Sequence, residues 1–379
     1  MDVEVLESVV IGAGQAGLSA SYHLARRGVR HVVLDADDAP GGAWQHRWDA
    51  LTMADVHGVA DLPDAPVPPA EGHERANVFV PAYFAAYERA HDLPVERPVA
   101  VDRVESVPGA GGDLLVVHAG DRTWHTRTLV NATGTWRRPF VPRYPGQEVF
   151  AGEQLHTVDY PGPEHFRGRR VMVVGGGASA VQFLGALRPV TDTLWVTRRE
   201  PVWRTEPFDP EAGREAVAMV EERVRAGLPP RSVVSVTGLM LREQEAEAER
   251  LGAYERLPMF DRLVADGAVW GDHPAGVPFD GAQEPPGRGR QTTRFEPVDV
   301  ILWATGFRPD VDHLAPLHLR SPRGGIQLGA SLATSTTSTA DPRVQLVGYG
   351  PSASTIGANR AGRAAANAVV RTLSSRVDA

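Results

Sequence analysis

Two glycine clusters carry the first chemical hint. G-A-G-Q-A-G runs from Gly12 to Gly17 and G-G-G-A-S-A from Gly175 to Ala180, each after an apolar run and before residues of helical spacing. A strand, a glycine turn and a helix N-terminus in that order let the backbone and the positive end of the helix face a pyrophosphate. Gly12, Gly14 and Gly17 fill the three glycine positions of the first loop; Gly175, Gly177 and Ala180, with Ser179 beside it, fill those of the second. Asp35 stands twenty-three residues after Gly12, and Arg198, followed by Arg199, stands twenty-three after Gly175. Taken as one position at the tip of the second strand of each unit, it carries opposite charges. An acid there accepts hydrogen bonds from ribose hydroxyls, whereas an arginine accommodates a 2′-phosphate. The first loop is therefore expected to take an unphosphorylated adenosine ribose and the second NADPH.

Other chemistries are excluded by what is absent. The chain has no cysteine, so no thiolate nucleophile or redox-active dithiol is available. It has no lysine either, and all 39 basic side chains are arginine, which removes Schiff-base chemistry and any amine base. The run Gly177 to Val181 imitates a nucleophile elbow but carries Val181 where the elbow needs glycine, so a hydrolase is rejected. The 13 histidines show no metal-ligand spacing, and no metal is expected. A net charge of −8 without a basic cluster argues against nucleic acid. The start is acidic and the longest apolar stretch is broken by glycines, so no membrane segment is expected and the location is read as cytoplasmic.

The elements that must position these loops repeat. V-V-I (9–11), the first loop, L-S-A-S-Y-H-L-A-R-R-G and H-V-V-L form one strand–helix–strand unit; V-M-V-V (171–174), the second loop, V-Q-F-L-G-A-L-R and T-L-W-V form another. Each unit is followed by an apolar run ending in Ala-Thr-Gly, at 132–134 and 304–306. Such duplication predicts two related nucleotide-binding domains of α/β class. Residues 60–75 and 280–294 have loop composition, residues 209–226 and 239–257 have helical spacing, and a helix is expected to close the chain.

Two dinucleotide domains in one chain suggest FAD in the first and NADPH in the second. Just before the second loop, Phe150-x-Gly152-x3-His156-x3-Tyr160 matches a signature of class B flavin-dependent monooxygenases, and the chain resembles the bacterial flavin-containing monooxygenases. The resemblance implies two Rossmann-like domains, with an NADPH domain (156–304) inserted into a discontinuous FAD domain (1–155 and 305–379). It implies further FAD contacts at Gly41, Gly42 and Trp44, a backbone contact at Val101, interdomain linkers at Thr133-Gly134 and Thr305-Gly306, and a helix start near the flavin ring at Thr355, Ile356 and Gly357. Asp55 stands nearest to the place where some members carry an asparagine beside the flavin. His156 is read as an interdomain or coenzyme contact, or else as a plain structural histidine. Asp55 and His156 are the two candidate catalytic residues.

The activity implied is transfer of one atom of O2 to a small organic substrate through a C4a-hydroperoxyflavin. Relatives that oxidise ketones end the signature in Trp; Tyr160 favours nitrogen or sulfur. Baeyer-Villiger oxygenation, an NADPH oxidase releasing H2O2 and a redox-silent NADPH-binding sensor stay open as alternatives. The partners expected are O2 and the substrate, with a homodimer as the assembly allowed.

Overall fold

The computed structural model describes residues 4–56, 58–109, 112–204, 210–230, 239–241, 243–271 and 294–375, with backbone alone at 210–217, 240, 243, 244, 355 and 356. Residues 280–293 of the expected loop lie outside the described residues. The chain forms two compact units: residues 1–138, 210–233 and 309–379 make the first, and residues 139–209 and 234–308 the second. Residues 139–155 group with the second unit, where β7 (Glu153–His156) joins the sheet, and 210–233 with the first.

In chain order the first unit contains β1 (Val5–Ile11), α1 (Gln15–Ala25), β2 (His31–Leu34), α2 (Ala76–Ala90), β3 (Val95–Glu96), β4 (Arg103–Val107), β5 (Leu114–Ala119) and β6 (Arg122–Asn131). The second follows with β7 (Glu153–His156), β8 (Val171–Val174), α3 (Ala178–Leu187), β9 (Thr193–Val196) and β10 (Trp203–Arg204). Helix α4 (Pro210–Arg225) belongs to the first unit. The second resumes with β11 (Leu239–Met240), α5 (Glu243–Arg250), β12 (Arg256–Leu257), β13 (Arg262–Val264), β14 (Gly267–Trp270), β15 (Arg294–Pro297) and β16 (Val300–Trp303). β17 (Val344–Leu346) and α6 (Thr355–Ser374) close the first.

The same parallel sheet is built twice. In the first unit the order is β3-β2-β1-β6, with β17 on the free half of β6; in the second it is β12-β9-β8-β16-β7. Strand by strand, the Ala-Thr-Gly strands β6 and β16 correspond, and β7, which carries the Phe-x-Gly-x3-His signature, takes the place of β17. The first sheet also gains the antiparallel pair β5 and β4. Parallel strands covered on both faces read as continuous apolar runs, which is why V-V-I and V-M-V-V lack alternation. Val10, Val33 and Val130 face a core with α1, α2 and α6, while Val9, Val32 and Leu129 face a second core with β4 and β5.

Helices α1 and α6 meet through small residues: a Cβ on Gly362 would stand 2.5 Å from Ser19 Oγ and 2.8 Å from Ala20 N. Among the described residues no helix is long and apolar enough to cross a membrane.

In the second unit, Gly152 sits where no side chain fits. A Cβ there would lie 2.4 Å from Asp299 O and 2.4 Å from the ring of Phe150. Overpacking of this kind costs about 1–3 kcal/mol. Gly152→Ala is expected to lower the free energy of unfolding by that amount, measured by denaturant unfolding followed by circular dichroism; an unchanged free energy would refute the packing account.

Candidate functional site

The first glycine loop is held by backbone contact. A Cβ on Gly12 would stand 2.7 Å from Ala132 O, and one on Gly17 only 1.8 Å from Gly12 O. The Gly41–Gly42 turn lies against the same loop, because a Cβ on Gly42 would meet Gly14 Cα at 2.8 Å. Trp44 ends the short 3-10 helix that follows. Gly14, the N-cap of α1, is different: its φ is ordinary and its Cβ would find only Gly42 Cα, 4.0 Å away. Gly177, the N-cap of α3, also has an ordinary φ, and its Cβ would meet nothing within 4 Å. Neither strain nor packing within the protein requires glycine at these two equivalent points. The open space there leaves room for an anion to approach a helix N-terminus.

Two buried polar atoms beside the first loop lack protein partners. Gln15 spends its amide nitrogen on Ala60 O and Asn359 Oδ1, leaving Oε1 unpaired. Arg47 lies over the rings of Trp136 (4.4 Å) and Trp44 (5.7 Å), its Nε has no partner, and burial pulls its pKa down to about 10. An orphan acceptor and an orphan cation next to an open phosphate cradle fit a bound dinucleotide such as FAD.

Asp35 follows β2 directly and is buried. Arg97 Nε donates to its Oδ2 at 3.1 Å and binds Glu88 with both terminal nitrogens at 2.7 Å. Burial pushes the Asp35 carboxyl up, and the Arg97 charge pulls it back toward the ionised form. Oδ1, which receives only a long contact of 3.4 Å from Asp37 N, faces a weak protein donor.

The second loop follows the first with one shift. Gly175 presses on Ala304 O, where a Cβ would stand 2.2 Å away, as Gly12 presses on Ala132 O. Ala180 has room for its methyl group, which Gly17 does not. Strand pairing then corrects the expected equivalence of Asp35 and Arg198. Ile11, just before the first loop, pairs with Leu34; Val174, just before the second, pairs with Val196. The crossover is one residue shorter in the second unit, so Asp35 corresponds to buried Thr197, and Arg198 stands one place beyond. Equal offsets from the first glycine hid this difference. Arg198 and Arg199 are exposed at that tip.

The signature from Phe150 to Tyr160 is a brace within the second unit. Phe150 packs in its core with Met172, Leu194 and Trp303. His156 Nε2 donates to Gly306 O at 3.0 Å, its Nδ1 accepts from Val158 N at 3.4 Å, and its ring meets Phe307 edge-on. Burial holds its pKa below the usual range. With both nitrogens engaged, His156 ties β7 to the Ala-Thr-Gly turn. Tyr160 packs on Phe183 of α3 at 4.3 Å and on Phe166, which steadies the helix whose N-terminus faces the second cradle.

Thr133 Oγ1 donates to Asp310 O and Gly134 O accepts from Asp310 N; Thr305 Oγ1 donates to Phe140 O and Gly306 O accepts from Phe140 N. Asp55 Oδ2 accepts from Thr52 N (3.1 Å) and Thr52 Oγ1 (2.7 Å), which locks the turn after Trp44. Val101 is half-buried against the β4–β5 side of the sheet. Thr355 and Ile356 begin α6, with side chains outside the described residues, and Gly357 N donates to the Ser354 cap. Sequence reasoning missed Gln15, Arg47 and Arg97. The edge strand β3 preceding Arg97 is too short to leave a periodic signal.

A solved structure of a flavin-containing monooxygenase from Stenotrophomonas maltophilia superposes with a TM-score of 0.78 at 34% identity, over 97% of this chain and 99% of that one. The chain belongs to the class B flavin-dependent monooxygenase family. The family model described as pyridine nucleotide-disulphide oxidoreductase matches residues 9–227 of this flavin monooxygenase. Indole-3-pyruvate monooxygenase YUCCA1 of Oryza sativa subsp. japonica is 35% identical over 177 residues, 46% of this chain and 43% of that protein. A Baeyer-Villiger monooxygenase of Streptomyces coelicolor is 27% identical over 242 residues, 60% of this chain and 43% of that protein. The matches span about half the length of the curated relatives.

Removing Arg97 would leave Asp35 and Glu88 buried together without their cation, a change that typically costs about 3–5 kcal/mol. Arg97→Ala is expected to lower stability by that order at about pH 8. The deficit should shrink toward about pH 5, because protonation of the raised carboxyl removes the unpaired charge. Urea denaturation at both pH values checks this; a deficit independent of pH would contradict it.

Proposed function

We propose that this flavin monooxygenase binds FAD in its first unit and NADPH in its second and transfers one atom of O2 to nitrogen or sulfur of a small organic substrate. The observation that carries the reading is the pair of N-cap glycines, Gly14 and Gly177, which nothing in the protein itself requires. Gly12, Gly14 and the N-terminus of α1 would hold the FAD pyrophosphate, Asp35 the adenosine ribose, and Gly41 to Trp44 the adjoining part of the cofactor. Gly175, Gly177, Ser179 and the N-terminus of α3 would hold the NADPH pyrophosphate, with Arg198 and Arg199 at its 2′-phosphate. When bound, FAD accepts reducing equivalents from NADPH and activates O2.

The chain's own part is positioning and charge. Arg97 keeps Asp35 ionised so that it accepts from ribose hydroxyls. Arg47, a half-buried cation on Trp44 and Trp136, would offset the negative charge of the cofactor. Thr52 fixes the carboxylate of Asp55, the acid placed nearest the flavin in this reading, and His156 keeps the turn at Gly306 in place for the second unit. No side-chain nucleophile is needed, which suits a chain without cysteine or lysine. The Baeyer-Villiger relative supports a second reading, with a ketone as substrate.

FAD-loaded protein supplied with NADPH in air, incubated with panels of amines, sulfides and ketones, should yield products one oxygen atom heavier by mass spectrometry, with amines or sulfides foremost. Ketone-to-ester conversion alone would favour the second reading. H2O2 as the sole product with every compound would make the protein an oxidase, and no NADPH consumption would make it a redox-silent binding module.

A further inference from the structure

One side chain ties the first glycine loop to a segment far along the chain. Gln15, the first residue of α1, donates its amide to Ala60 O and to Asn359 Oδ1, each at 3.1 Å, and Asn359 of α6 in turn donates Nδ2 to Asp61 O. These partners fix which way the Gln15 amide points. Ala60 O can only accept, and Asn359 must turn its nitrogen to Asp61 O, so the atom of Gln15 left over is the oxygen, Oε1, buried and unpaired. Ala60 and Asp61 begin a strap, residues 60–67, that three tyrosines dock on α1 and α2. Tyr22 donates to the carboxylate of Asp64, Tyr87 to Pro63 O at 3.0 Å and Tyr83 to Ala65 O at 2.6 Å, while Leu62 N donates to the Tyr83 hydroxyl at 2.7 Å. Leu62 is fully buried in the core that holds Tyr22, Tyr83 and Tyr87. Val67 N closes the strap on Asp61 Oδ1 at 2.8 Å. Every polar end of this network is satisfied by protein except Gln15 Oε1, the end that lies at the N-terminus of α1.

A buried acceptor calls for a donor. In the reading above, FAD runs from its adenosine ribose at Asp35, through its pyrophosphate at the N-terminus of α1, to its ribityl chain. The pyrophosphate carries only acceptors and the adenosine ribose is taken by Asp35, so the donor left for Gln15 is a hydroxyl of the ribityl chain. We propose that Gln15 couples the cofactor to the strap: its Oε1 accepts from a ribityl hydroxyl of FAD, and its amide, through Ala60 O and Asn359, holds residues 60–67 closed once the side chain is fixed at that end. The proposal rests on the assignment of FAD to the first unit. A side chain pinned by one partner has already lost the rotamer freedom that the next partner would have to take from it. Such coupling is reciprocal: the factor by which FAD favours the docked strap is the factor by which the docked strap favours FAD.

The test is hydrogen–deuterium exchange of the full chain, freed of bound cofactor and then supplied with FAD or with ADP, with both affinities measured by calorimetry. ADP has the adenosine ribose and the pyrophosphate but no ribityl chain, so it fills the cradle without a donor for Gln15. A neutral hydrogen bond corresponds to about three- to tenfold in an equilibrium constant. FAD should slow exchange in peptides covering 60–67 by about that factor, and ADP should leave it nearly unchanged. Gln15→Leu, which keeps the bulk of the side chain without its amide, should abolish the slowing, weaken FAD about three- to tenfold and leave ADP within about twofold. Tyr22→Phe, which loosens the strap at Asp64 and leaves Gln15 intact, should speed exchange in the cofactor-free protein, and FAD should still slow it. No slowing by FAD, equal slowing by FAD and ADP, or slowing that survives Gln15→Leu or is lost in Tyr22→Phe would overturn the proposal. Wild-type protein that binds no FAD would instead overturn the assignment of FAD to this unit.

Discussion

Each unit depends on a backbone approach too close for any side chain. Gly12 rests on the carbonyl of Ala132 and Gly175 on that of Ala304, while the amides of Ala132 and Ala304 return hydrogen bonds to Ile11 O and Val174 O. The glycine loop and the Ala-Thr-Gly strand are therefore one piece of structure in each unit. The next two residues of each strand then fasten an incoming segment: Thr133 and Gly134 hold Asp310, where the chain re-enters the first unit, and Thr305 and Gly306 hold Phe140, where it enters the second. His156 adds a hydrogen bond to Gly306 O. The motifs that looked like separate contacts with a cofactor are thus also the means by which one chain builds two units around two loops.

On this common frame the two units differ in charge. The first spends Arg97 on two carboxylates and keeps one of them, Asp35, at the strand tip. The second puts Thr197 there, with the exposed Arg198 and Arg199 just beyond it. Low dielectric makes the distinction sharp at Asp35, where burial and the guanidinium oppose each other over the state of one carboxyl. In the proposed reading, such a difference would discriminate an uncharged ribose from a phosphorylated one without any change of fold.

Much of this was legible because glycine loops, apolar strands and Ala-Thr-Gly runs are local patterns with local causes. Both loops, both strand–helix–strand units and the closing helix follow from them. The signature at Phe150 to Tyr160 led to the family, and Gly152, His156 and Tyr160 take part in packing and turn geometry around the second loop. What could not be read depends on register and on distant chain. An offset of twenty-three residues placed Arg198 opposite Asp35, and only strand pairing shows the crossover to be one residue shorter. Arg97 follows a two-residue edge strand with no periodicity to betray it. Arg47 looks like one more surface arginine until the rings of Trp44 and Trp136 are seen on it.

The central claim is that one chain holds a flavin and its reductant at two sites of different charge. Anaerobic titration of the FAD-reconstituted protein with NADPH, followed by visible absorbance, addresses it directly. The account predicts one FAD retained per chain, bleached by about one equivalent of NADPH, with NADH needing a much higher concentration at the same rate. Protein that retains no FAD, or FAD that stays oxidised under excess NADPH, would contradict it.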